Sequence, residues 1–383
     1  MRATSLSLAL VLYLLVTTAS GDLLITDRYR DSVHKFSSVD GSVIQLDFIN
    51  TASGLQLDSA LEALVVGDEI WVADQNLDMV ARYTLAGVYL GPFIGPSSQI
   101  DNIRGIHVHE NVLYVTNFGS ANGAPGGCIR KFDATTGANL GSVFPPGVRS
   151  PWDVMVYQGR ILVSDDLNIS TNPLLDTAAI FELLPGGGTG VFASGSQGTN
   201  GLSLPKQMIE LANGNLLVGN NGLPRALIEF NAAGQIVASY STGSLRTNGL
   251  FELDNGLILV AGEDTGVLGT NGIYTLNRSN GAFTPLLLGN QTPGGLLPHY
   301  INFIPSAPAV CPGDCDCDGD VDFDDIDFFV AALGGEQAWA DFYASVYGGQ
   351  PPCSYENCDV DGVGGVTFDD IDPFVARIGL GCP

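Results

Sequence analysis

A mainly β chain is predicted: a six-bladed β-propeller followed by a small α-helical, EF-hand-like module. Three observations predict it. Between Leu23 and Pro305, strands ending in a small or polar residue recur with a period in the forties, the period of propeller blades. From Asp314 to Asp325 a twelve-residue loop carries acidic side chains at positions 1, 3, 5, 9 and 12. The stretch Phe323-Asp-Asp-Ile-Asp-Phe-Phe-Val-Ala returns 45 residues later as Phe368-Asp-Asp-Ile-Asp-Pro-Phe-Val-Ala, identical at eight of nine positions.

The chain opens Met-Arg, continues uncharged from Leu6 to Val16, and reaches small residues before Asp22. A basic start, a short apolar run and small residues make residues 1–21 a secretory signal peptide. The mature protein is expected to be exported, secreted or at the cell surface. No later segment approaches the ~20 apolar residues that a membrane span needs.

Residues 22–305 hold the array. Its strand endings are Leu-Ile-Thr-Asp27, Trp-Val-Ala-Asp74, Tyr-Val-Thr-Asn117, Leu-Val-Ser-Asp165, Leu-Val-Gly-Asn220 and Leu-Val-Ala-Gly262, spaced by 47, 43, 48, 55 and 42 residues. Glycine-bearing turns such as Phe132-Asp-Ala-Thr-Thr-Gly137 and Phe230-Asn-Ala-Ala-Gly234 follow them, as hairpins require. A further strand precedes each ending, as in Pro151-Trp-Asp-Val and Pro205-Lys-Gln-Met. The first blade lacks that strand, and an orphan copy stands at Leu297-Pro-His-Tyr-Ile. If the orphan completes the first blade, the ring closes with no exposed sheet edge and six blades are counted.

The repeated unit resembles the NHL and SMP-30-like six-bladed propellers. Some members of that family hold a divalent metal in an acid and amide ring for lactone hydrolysis, which would give Asp74, Asn117, Asp165 and Asn220 that role here. The competing reading makes them turn residues bonded to their own backbones. His34, His107, His109 and His299 are read as structural.

Residues 306–310 read as a short linker, and 311–383 as a separate module. Hard oxygens at alternating loop positions, a glycine at position 6 (Gly319) and a terminal carboxylate are the pattern that wraps Ca2+. The copied segments carry apolar residues at Phe323, Ile326, Phe329, Val330 and Leu333, and at Phe368, Ile371, Phe374, Val375 and Ile378. Each set forms one helical face, and the two are expected to bury against each other.

This duplicated loop and helix resembles the dockerin type I module. The resemblance implies two calcium loops and a cohesin-like or other extracellular protein as partner, in company with polysaccharide breakdown. It implies Asp314, Asp316, Asp318, the backbone carbonyl of Asp320, Asp322 and Asp325 as ligands in the first loop. In the second it implies Asp359, Asp361, Gly365, Thr367 and Asp370. Val363 stands at position 5 where an oxygen is expected, so that site should be weaker; a register starting at Asn357 would need a two-residue insertion. Residues 334–352 lengthen the connection between the repeats, and Pro373 is tolerable only if its helix begins close to Phe368.

Six of the seven cysteines (311, 315, 317, 353, 358, 382) fall in this module, which reads as up to three disulfides with the pairing open. Zinc is the competing reading, although no Cys-x-x-Cys is present. Residues 309–383 carry 16 Asp and Glu against one Lys or Arg, in a chain of net charge −26. Nucleic acid and anionic membranes are poor partners for such a chain. The reading is therefore a secreted calcium-binding protein. Its tail mediates extracellular attachment and its propeller is a binding module for a carbohydrate or small ligand at the mouth. Its rival is a metal-dependent propeller enzyme of lactonase or lyase type, or a carbohydrate-active hydrolase carrying the same tag.

Overall fold

The computed structural model describes residues 21–145, 148–166, 177–185, 188–196, 201–264, 270–305, 311–349, 351 and 353–381. The signal segment (except Gly21), the 306–310 linker and Cys382 lie outside the described residues. One compact unit holds residues 22–304 and a second 305–383.

The first unit consists of six four-stranded antiparallel sheets, a six-bladed propeller. Five blades start on Ala60–Val66, Ile103–His109, Pro151–Tyr157, Pro205–Glu210 and Leu245–Glu252, and these first strands contact one another around the ring. In the sixth, the late strand Pro298–Pro305 pairs with Gly21–Asp27, followed by Ser32–Ser37 and Val43–Ile49. The orphan copy thus joins the two ends of the array and closes the ring. Leu297 fixes the join: its amide donates to Asp27 Oδ2 at 3.0 Å, and its carbonyl accepts from Arg28 N at 3.1 Å.

Burial grades across each blade because the second strand is covered on both faces while the last lies at the rim. Leu216–Asn220 is buried throughout, whereas Ile236–Ser241 alternates between exposed and half-buried. The first strands break register at one place. The ladder slips between Ile103 and Ile106, between Pro151 and Val154, and between Pro205 and Met208. Bulges of this kind re-aim side chains, here Asp153 and Gln207 toward the neighbouring blades. Gly105 occupies the same position because a Cβ there would lie 2.6 Å from the Trp152 carbonyl oxygen. Hydroxyls on the second strands tie blade to blade: Thr116 Oγ1 donates to Trp152 O at 3.0 Å, and Ser164 Oγ to Lys206 O at 3.0 Å.

The second unit contains helices α1 (Asp325–Ala332), α2 (Glu336–Tyr347) and α3 (Ile371–Arg377), with Asp320–Val321 pairing Leu380–Gly381. The expected mutual burial of both apolar faces is only partly realised. Phe329 and Phe374 stack in the core, but Phe323, Ile326, Val330, Phe368, Ile371 and Val375 are exposed. The reason is α2, which forms within the lengthened connection between the repeats. Its Trp339 and Tyr343 are buried, and its Tyr347 stacks on Phe328 at 5.6 Å, filling the core from one side. Pro373 is accommodated as expected, because α3 starts at Ile371 and first-turn amides have no helical acceptor.

Cys317 and Cys353 form a disulfide and Cys311 is also disulfide-bonded, while Cys128, Cys315 and Cys358 are buried thiols. Among the described residues, the side-chain groups placed to hold a metal consist of aspartates alone, with no cysteine.

Candidate calcium sites

In the first loop, Gly319 takes φ +102°, a left-handed turn that folds the acidic segment back on itself. Asp325, at the start of α1, then reaches across. Its Oδ1 accepts from Cys315 N at 2.6 Å and Asp316 N at 2.9 Å, and its Oδ2 from Asp322 N at 2.8 Å. The Asp318 amide donates to Asp314 Oδ1 and Asp316 Oδ1 at 3.1 and 3.2 Å. The backbone so arranged brings carboxylate oxygens of Asp314, Asp316 and Asp325 within 4.8 Å of one another.

The second loop repeats this wiring at an offset of 45. Asp370 Oδ1 accepts from Asp361 N at 2.9 Å, and its Oδ2 from Thr367 N at 2.8 Å. Val363 N donates to Asp359 Oδ1 and Asp361 Oδ1 at 3.1 and 2.7 Å. Carboxylate oxygens of Asp359, Asp361 and Asp370 again lie within 4.8 Å. This wiring matches the register that needs no insertion. Asn357 is buried, donating to Asp314 O at 2.9 Å and accepting from Cys311 N at 3.1 Å.

The remaining candidates stay at the rims. Asp318 and Asp320 are exposed and Asp322 is half-buried; Asp318 and Asp322 accept the amides of Asp320 and Asp324. Gly365 is exposed, Thr367 is half-buried, and Val363, 71 % exposed, leaves position 5 without an oxygen.

Electrostatics separates the two loops. Burial, with the Asp316 charge adding to it, pushes Asp325 up to about 7, and burial also raises Asp314 and Asp316. Burial acts upward on Asp370 too, but the amides of Asp361 and Thr367 outweigh it and hold that carboxyl below its ordinary value. Three carboxylates in one pocket repel, and a divalent cation with a preference for hard oxygens relieves the repulsion. The donor set therefore fits calcium, with the first loop more in need of it.

Two residues outside the predicted ligand set also reach this site. Tyr347 Oη donates to Asp316 Oδ2 at 3.1 Å, and Trp339 Nε1 donates to Cys315 O at 2.8 Å. Both lie on α2, and the recurrence of Trp339, Tyr343 and Tyr347 every four residues was the signal in the sequence.

In the propeller, the strand-end acids and amides bind backbone. Asp74 accepts from Asp58 N, Asn76 N and Leu77 N; Asp165 from Ser150 N and Arg149 N. Asn117 accepts from Asp101 N, and Asn220 from Ser203 N. Most of these amides lie 15 to 17 residues earlier in the chain, and among them only Asn76 and Leu77 belong to the turn that follows the strand. The channel is crossed by Tyr300, whose hydroxyl donates to Trp152 O at 2.7 Å. At one end Lys206 and Arg104 lie over the Trp152 ring at 3.1 and 4.5 Å, and Asp166 bonds both. At the other end Glu62, Asp153, His107, Gln207 and Phe251 help line a cavity of about 400 Å³. Burial lowers His107 to about 4 and His299 to about 3, so both are neutral at pH 7.

No protein-family model and no curated relative matches the chain. Solved structures do. A protein of unknown function from Bacteroides caccae is similar over 74 % of this chain and 99 % of its own, at 14 % identity and TM-score 0.51. A chain of a nidogen/laminin complex is similar over 74 % and 97 %, at 13 % identity and TM-score 0.55. A streptogramin B lyase is similar over 74 % and 83 %, at 15 % identity and TM-score 0.49. At such identities the similarity to the first two supports the propeller fold and nothing finer.

Proposed function

We propose that the protein is exported and binds calcium through its C-terminal module, which attaches it to an extracellular partner while the propeller presents a binding surface. One observation carries the reading: two loops with the same hydrogen-bond wiring each converge three carboxylates. Asp314, Asp316 and Asp325 would hold one ion, with Asp318, Asp322 and the Asp320 carbonyl completing the set. Asp359, Asp361, Thr367, Asp370 and the Gly365 carbonyl would hold the other. The ion supplies charge neutralisation, and the chain's own amides hold the carboxylates facing inward.

The exposed apolar residues support an attachment role. Phe323 and Phe368 are 74 % and 76 % exposed at equivalent positions, and Ile326, Val330, Ile371 and Val375 repeat the pattern beside them. Exposed apolar surface of this extent marks a contact surface, here for a cohesin-like or other extracellular protein. A carbohydrate or small ligand at the propeller mouth is the matching proposal for the first unit. Calcium titration of the full chain by calorimetry tests the central claim. Two sites of unequal affinity are expected; heat no larger than dilution would reject it.

A further inference from the structure

The two thiols left unpaired in the calcium module are not scattered. Cys315 directly follows Asp314 at the head of the first loop, and Cys358 directly precedes Asp359 at the head of the second. Both are wholly buried in the same core cluster of the module. Three hydrogen bonds, one between backbones and two through the Asn357 side chain, hold their segments side by side: Gly313 N to Asn357 O at 2.7 Å, Asn357 Nδ2 to Asp314 O, and Cys311 N to Asn357 Oδ1. The Trp339 indole fixes the Cys315 carbonyl from the far side. A bond between the two sulfurs would join the loop heads while leaving the carboxylate wiring of each loop in place.

The geometry points to Cys315 and Cys358 as a redox site whose oxidation cross-links the heads of the two candidate calcium loops and raises their calcium affinity. The pair gives up two protons and two electrons to a disulfide, either of an oxidising enzyme or of a small molecule such as oxidised glutathione. That disulfide is reduced to two thiols as the Cys315–Cys358 bond forms. Cross-linked, the loop heads have less freedom to lose when the carboxylates close on an ion. An exported protein meets the oxidant in its own compartment. The affinity claim rests on the calcium reading, whereas the cross-link does not.

The test starts with full-length protein, incubated with oxidised glutathione and chelator, alkylated unfolded without reductant, and mapped by mass spectrometry. A linked Cys315–Cys358 peptide, with Cys128 labelled, is expected. Alkyl label on both Cys315 and Cys358 beside an intact Cys317–Cys353 link overturns the cross-link. Calcium titration of the oxidised chain and of C315A/C358A then reads the coupling. Binding about tenfold weaker in the variant, the low end of outer-shell losses, is expected; equal affinities overturn the coupling. A linked peptide in a protein that takes up no calcium would reject the calcium reading instead. Should the variant fail to fold, the oxidised chain and the chain reduced only at Cys315–Cys358 give the same comparison.

Discussion

Phe329 of α1 and Phe374 of α3 lie face to face, ring centroids 4.7 Å apart and planes within 7°. They are equivalent residues of the two copied segments, so this one contact joins the repeats. A buried aromatic pair exceeds its area burial by about 1 kcal/mol, and truncating a buried Phe to Ala costs about 3–5 kcal/mol. A module of this size has little stability to spare. Phe374→Ala should therefore abolish the tail's calorimetric transition while the propeller's transition stays within a degree of wild type.

The shared wiring lets the two loops be compared by substitution. Asp325→Asn should remove the tighter calcium site and Asp370→Asn the weaker, each leaving one site in the titration. Val363→Asp supplies the missing oxygen at position 5 and should tighten the second site about tenfold, as a changed ligand charge count shifts such affinities. Unchanged second-site affinity in Val363→Asp would show that position 5 does not reach the ion.

The blade count and ring closure were legible because strands repeat with a fixed period and because the Leu297-Pro-His-Tyr copy had no local partner. The converging acids were legible from spacing alone, since Asp314, Asp316 and Asp325 belong to one short loop. The second register was legible as the one that needs no insertion, and the Asp370 hydrogen bonds to Asp361 and Thr367 follow the same pattern as those of Asp325. Helix α2 escaped notice because its aromatic spacing acquires meaning only against the Phe328 ring it covers. The exposed Phe323 and Phe368 likewise contradict the simple pairing of two stripes, because helical periodicity specifies a face but not what covers it.

Tyr300 is buried and its hydroxyl bonds a strand of another blade. Its bond to Trp152 O at 2.7 Å spans the ring, and Gly105 beside it leaves the room it needs. Tyr300→Phe keeps the ring and removes the bond, but Trp152 O still accepts from the Thr116 hydroxyl, so the cost should be about 1 kcal/mol, that of one net hydrogen bond. The propeller's melting temperature should fall by a few degrees, with the tail's transition unmoved.

The propeller's buried acids make its stability depend on pH in a defined window. Burial pushes Asp74 and Asp153 up to about 7 and Asp165 to about 6, and raises Glu62 well above its ordinary value with the Asp153 charge adding to it. Unfolded carboxyls titrate near 4, so the folded state holds these protons more tightly. Their contribution is complete below pH ~4 and is lost as pH rises through 6 to 7. His107 and His299, lowered to about 4 and 3, work the other way. They are neutral in both states above the unfolded histidine value near 6.5, so they oppose the carboxyls only below it. Lys206, lowered to about 8 by burial, adds stability chiefly above that pH. Between pH 6.5 and 7.5 the carboxyls act almost alone. With calcium saturating, the propeller's transition should drop by a few degrees over that interval, on the order of 1 kcal/mol. A transition that is flat or rises there would mean that these acids are ionised in the folded ring at neutral pH.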